Sequence, residues 1–112
     1  MKTSLWTEYW SEMWGAETFE TEYGFITFQT FTQHIFIQEL YVKPEFRRSE
    51  HASALADEVT KIARERGLYE LTSKVHLDSN TAALSLKVQL AYGFIPFRAE
   101  SGIIWLSKKV ER

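Results

Sequence analysis

The sequence predicts an α/β domain in which a mixed, mostly antiparallel sheet is flanked by helices. Three observations carry that prediction. Residues 17–42 are rich in Phe, Tyr, Ile and Thr and alternate in polarity, the pattern of β-strands. Residues 52–63 then repeat apolar side chains at the spacing of one helix face, and a second helical segment follows at 81–92 after one more strand-like stretch. A strand–helix–strand–helix unit inside an otherwise antiparallel run requires a crossover between parallel strands, so the sheet is mixed. No repeat or linker interrupts the 112 residues, and residues 1–112 are read as a single domain.

Composition narrows the function. The 13 basic and 15 acidic side chains give a formal charge of −2, and no long stretch carries one sign, so the basic footprint of a nucleic-acid binder is missing. The lack of cysteine excludes disulfides, a thiol nucleophile and cysteine-based zinc sites. His34, His51 and His76 have no ligand spacing, so no metal is expected. Glu8 is incompatible with a signal peptide, and no apolar run approaches the ~18 residues of a membrane span. No membrane association is expected, and the expected location is cytoplasmic.

Taken in order, residues 4–14 place Leu5, Trp6, Tyr9, Trp10, Met13 and Trp14 opposite Glu8 and Glu12, which predicts an amphipathic helix capped by Ser4 or Thr3 and ended by Gly15. Its aromatic face either covers the sheet or docks a protein partner or a second copy of the chain through Trp6, Trp10 and Trp14. Strand segments follow at 17–32, broken at Gly24. Thr32 and Gln33 form the expected turn into a strand at 34–42, where Phe36, Gln38, Leu40 and Val42 alternate with Ile35, Ile37, Glu39 and Tyr41. Both faces are largely apolar, as in a central strand. Pro44, which has no N–H to donate, ends the strand. The next helix puts Ala52, Leu55, Ala56, Val59, Ile62 and Ala63 on one face and stops at Gly67. A strand at 70–77 carries Leu71, Ser73, Val75 and Leu77 on one side. Asp78, Ser79 and Asn80 introduce the second helix, Gly93 stops it, and residues 94–98 and 103–109 read as a closing hairpin.

The turn after Val42 is where chemistry is expected. A helix whose first amides are free, with Arg47 and Arg48 beside it, is a natural anion site. Leu40, Val42, Pro44, Phe46, Arg47, Ala52 and Leu55 stand in the register of one motif, and Asn80 with Gly93-Phe94 supplies a second. Through these motifs, over roughly residues 23–110, the chain resembles the GNAT superfamily of acyl-CoA N-acyltransferases. The resemblance implies a GNAT core at 23–110 behind a Trp-rich helix at 1–16, with acetyl-CoA as co-substrate and an amine acceptor. It also implies that backbone amides from Arg47 through Arg48, Ser49, Glu50 and His51 to Ala52 grip the pyrophosphate. The backbone of Leu40, Tyr41 and Val42 would meet the acyl or pantetheine portion where two central strands splay, and Asn80 would lie near the cofactor arm.

The chain departs from the family pattern in three places. Glu50 stands where the family has glycine. Two like charges ~4 Å apart repel by about 1 kcal/mol in water and about 4 at an effective dielectric of 20. That carboxylate therefore opposes a pyrophosphate unless it swings outward, or else it satisfies the helix dipole itself. The tyrosine that often serves the family as acid falls at Gln89 counting back from Gly93, and at Lys87 counting forward from Asn80, which leaves Tyr92 as an alternate. The segment before Tyr23 is short, so the acceptor groove is open or another chain completes it. Chemistry alone favours Glu39 as the base, with His76 behind it.

Two functions of different class follow. One is an acetyl-CoA-dependent N-acetyltransferase acting on an amine. The other is a catalytically degenerate GNAT-like binding or assembly protein, similar in its brevity to abbreviated phage-encoded members and acting through its Trp-rich surface.

Overall fold

Among the described residues, the strands are β1 (Ala16–Glu20), β2 (Gly24–Thr30), β3 (His34–Val42), β4 (Glu70–His76), β5 (Ile95–Glu100) and β6 (Ile103–Lys109), and the helices that flank them are α1 (His51–Glu65) and α2 (Ala82–Tyr92). This computed structural model describes Leu5, Glu8, Glu12 and residues 15–47 and 50–111. Leu5, Glu8 and Glu12 are helical and exposed, whereas the docking face expected of Trp6, Trp10 and Trp14 lies outside the described residues, as do Arg48 and Ser49.

The six strands form one sheet in the order β1-β2-β3-β4-β6-β5. Every neighbouring pair is antiparallel except β3–β4, which α1 connects as a crossover. The sheet is thus mixed, mostly antiparallel and flanked by helices, in agreement with the sequence reading. Leu55, Val59 and Ala63 of α1 share one core cluster with Ala82 and Leu86 of α2, with Ile26, Phe28, Ile35 and Ile37 of β2 and β3, and with Leu71, Val75 and Leu106 farther along the sheet. Both helices therefore pack on the same face.

The helix ends follow the chemistry of their residues. At the end of α1, Leu68 N–H donates to Ala63 O at 2.9 Å and Gly67 N–H to Arg64 O at 3.1 Å, with Gly67 at φ +70. That is the Schellman arrangement, with Leu68 buried against the core. In α2 the helix begins at Ala82, with Thr81 as cap residue and Asn80 in the turn before it. Gly24 marks a close approach of backbones, because a Cβ there would sit 2.0 Å from Tyr41 O.

One feature of β3 departs from strict alternation. Thr27 faces Glu39 while Phe28 faces Ile37, so Gln38 is an extra residue, a β-bulge. A bulge inverts the side-chain parity beyond it. Ile35, Ile37 and Val42 consequently all enter the core, while Phe36, Glu39 and Tyr41 share the opposite face. The stacking of Tyr41 on Phe25, 5.7 Å between centroids, belongs to that opposite face. The expected grouping of Val42 with Phe36, and of Glu39 with Ile35 and Ile37, is thereby corrected.

Candidate active site

The parallel ladder between β3 and β4 is short: His34 pairs with Glu70, Ile35 with Leu71 and Phe36 with Thr72, and there it stops. Beyond it β3 runs on to Val42 and β4 to His76, so the two central strands separate. The gap opens a cleft of about 840 Å³. Its lining reaches both faces of the sheet: Ala52, Ser53 and Gln89 belong to the helices, and Phe36, Glu39, Lys74 and His76 to the face away from them. Leu84 and Val88 of α2, exposed in spite of their apolar character, give it an apolar wall.

Backbone groups also point into the gap. Lys43 N–H donates to Tyr23 O at 2.8 Å. Amides on an antiparallel strand point alternately to its two sides, so those of Val42 and Leu40 point away from β2, toward the space that β4 has vacated. The carbonyl of Val42 accepts Arg47 Nε at 2.9 Å. Arg47 is exposed, lines the cleft and carries its guanidinium 5.7 Å from the centroid of the Tyr41 ring.

At the mouth stands the N-terminus of α1. Its cap residue, Glu50, accepts the Ala54 amide on its carbonyl at 2.8 Å, but its carboxylate makes no capping hydrogen bond. The carboxylate is exposed and Glu50 is not among the residues lining the cleft. The first-turn amides are thus not capped by a hydrogen bond from the Glu50 carboxylate. His51 is half-buried and outside the cleft lining, its ring stacked on Tyr23 at 4.0 Å and edge-on to Phe46 at 5.6 Å.

The remaining candidates are distributed unevenly. Glu39 and His76 are exposed on neighbouring strands at the open face of the cleft. Asn80 is exposed and outside the lining, which its neighbours Ser79 and Thr81 join. Tyr92 lines the cleft, but its hydroxyl donates to Asp57 Oδ1 at 2.6 Å and lies 3.2 Å from Thr60 Oγ1. Burial, and then the hydrogen bond to Asp57, push its phenol up to about 12.

A polar chain at the narrow end of the cleft escaped the sequence reading. Ser73, only 4% exposed, donates its hydroxyl to Gln89 Oε1, and Gln89 Nε2 donates to Ser85 Oγ at 3.1 Å. The available signal was Ser73 itself, a hydroxyl in the buried row of Leu71 and Val75. Among the described residues, no group of three His, Cys, Asp or Glu side chains is placed to hold a metal ion.

Comparison with known proteins agrees with this architecture. No curated protein matches the chain by sequence. Among solved structures, the PaiA N-acetyltransferase of Thermoplasma acidophilum, in complex with coenzyme A, superposes with a TM-score of 0.74 at 22% identity, over 84% of this chain and 60% of that one. A GNAT family acetyltransferase of Elizabethkingia anophelis with acetyl-CoA bound gives 0.68 at 16%, over 84% and 76%. The anti-CRISPR protein AcrVA5 gives 0.68 at 17%, over 80% of this chain and 96% of its own. At these identities the likeness is one of fold, and the chain spans about three fifths of the PaiA structure. The model of the acetyltransferase (GNAT) family matches residues 3–92, most of the 112, and the chain belongs to that family.

Proposed function

We propose that this chain transfers the acetyl group of acetyl-CoA to an amine. The observation that carries the reading is the separation of β3 and β4 after Phe36 and Thr72, which joins the two faces of the sheet through one cleft. Two reactants can enter from opposite faces and meet without competing for one entrance. Bound acetyl-CoA supplies an activated thioester; every other part falls to the chain's own residues.

On the helix side, the amides of the turn from Arg47 through Arg48, Ser49, Glu50 and His51 to Ala52 hold the pyrophosphate at the start of α1, where dipole and free N–H groups favour an anion. Ala52 and Ser53 line the cleft at this point, with side chains small enough for the backbone to be approached. Leu40, Tyr41 and Val42 guide the pantetheine arm along β3, the amides of Leu40 and Val42 donating into the gap, with Asn80 near the arm's outer part. On the other side Glu39 takes the amine proton, directly or through water, and His76 borders the acceptor path. Tyr92, although it lines the cleft, is assigned to holding α2 against α1 through Asp57 rather than to proton delivery, since a phenol raised to about 12 is a poor donor near neutrality.

The test is thermal. A ligand at a hundred times its dissociation constant adds about 2.7 kcal/mol to stability, so acetyl-CoA should raise the melting temperature by about 10 °C. An unchanged melting temperature at millimolar acetyl-CoA would overturn the proposal. Once binding is found, release of the free thiol against a panel of amines identifies the acceptor.

A further inference from the structure

Gln89 is placed to act on the sulfur that leaves during acetyl transfer, an inference that rests on the function proposed above. Ser73 is the first residue of β4 beyond the last one paired to β3, so the hydrogen bond it gives Gln89 fixes that amide at the vertex of the cleft. The oxygen of the amide is engaged by Ser73, and one hydrogen of its nitrogen by Ser85 at 3.1 Å. An amide nitrogen has two hydrogens. Gln89 lines the cleft and is half-buried, and its second N–H is engaged by neither serine. In this orientation of the amide, Ser73 gives its hydroxyl hydrogen to Oε1 and Ser85 receives one hydrogen of Nε2.

We infer that Gln89 stabilises the departing thiolate of coenzyme A by donating this N–H to sulfur, in place of an acid that protonates it. As the acceptor nitrogen bonds to the carbonyl carbon, the C–S bond breaks and its electron pair goes to sulfur. The amine proton goes to Glu39 or water, and the thiolate takes a proton from solvent after release. Gln89 is then a catalytic residue, and Ser73 and Ser85 are positioning residues.

The experiment compares the binding of coenzyme A with that of its S-methyl thioether, which has no thiol to ionise. Both are titrated from about pH 7 to about pH 9, the range in which a thiol of ordinary pKa loses its proton. In the native protein the affinity ratio of thiol to thioether should rise about sixfold across this range, the effect of a bound thiol whose pKa falls by about one unit. Gln89→Leu should flatten the ratio. Gln89→Glu, which keeps an acceptor for Ser73 and so preserves the packing of α2, should flatten or reverse it. A ratio that is flat in the native protein, or that rises equally in both variants, overturns the inference and leaves the acetyltransferase reading standing. Failure of both ligands to bind overturns the two together.

Discussion

The guanidinium of Arg47 folds back on the strand it follows, with Nε 2.9 Å from the carbonyl oxygen of Val42. The contact holds a cation beside the mouth of the cleft while the last amide of β3 stays turned into the gap. The side chain thereby ties the end of the 3₁₀ turn at Pro44–Phe46 back to the end of the strand.

Replacing Arg47 therefore separates two effects. Arg47→Gln removes the charge and should weaken coenzyme A binding about fivefold, the value of roughly 1 kcal/mol for an exposed ionic contact. The deficit should shrink as salt is raised, since the Debye length falls from about 10 Å at 0.1 M to about 3 Å at 1 M. Arg47→Lys keeps the charge but lacks the Nε that meets Val42, so it should bind nearly as well at low salt and melt slightly lower. Titration calorimetry at two salt concentrations distinguishes these outcomes.

Gly24 is fixed by space rather than by conformational freedom. A methyl group there would overlap Tyr41 O at 2.0 Å, and the atom it meets is backbone that cannot swing aside. Gly24→Ala should push β2 from β3 and cost about 3 kcal/mol, the upper part of the range for overpacking. The midpoint of urea unfolding measures it, and a loss below about 1 kcal/mol would show that the two strands part easily at this end.

Tyr92 makes a prediction at alkaline pH. Its phenol is raised from 10.0 in the unfolded chain to about 12 in the folded one. Between those values the unfolded chain has released the proton and the folded chain keeps it, so stability falls as pH rises through the window and levels off above it. Tyr92→Phe should be less stable at neutral pH by about 1 kcal/mol, for the lost hydrogen bond to Asp57. Its stability should also decline less steeply above pH 10 than that of the native protein. Parallel decline in the two proteins would remove Tyr92 from the account.

What could be read in advance depended on range. The stripe Ala52, Leu55, Ala56, Val59, Ile62 and Ala63 is set by helical spacing; five of the six pack on the core cluster, and Ala56 is buried at the cleft. Gly67 and Gly93 announce helix ends because few other residues tolerate their positive φ. The bulge at Gln38 was not legible, because it exists only in the pairing of β3 with β2 and leaves no mark in the composition of either. That single residue decides that Glu39 faces the open side of the cleft rather than the core. Ser73 and Gln89 are 16 positions apart and meet only once α2 is folded against β4. The turn at 42–52 could be located from its motif, but the direction of the Glu50 carboxylate could not, since nothing local commits it.

Glu50 supplies the last prediction. The carboxylate is exposed, makes no capping bond and is absent from the cleft lining. Its repulsion of a bound pyrophosphate is therefore screened toward the aqueous limit of about 1 kcal/mol at ~4 Å, not the value of about 4 that a low-dielectric position would impose. Glu50→Gln, which removes charge without adding the flexibility of glycine, should tighten coenzyme A binding by no more than about fivefold. The gain should vanish at high salt. Glu50→Gly should do the same and also loosen the start of α1, lowering the melting temperature of the free protein. A gain of a hundredfold or more in Glu50→Gln would mean that the side chain turns inward against the ligand, and that the native turn is tuned to hold acetyl-CoA weakly.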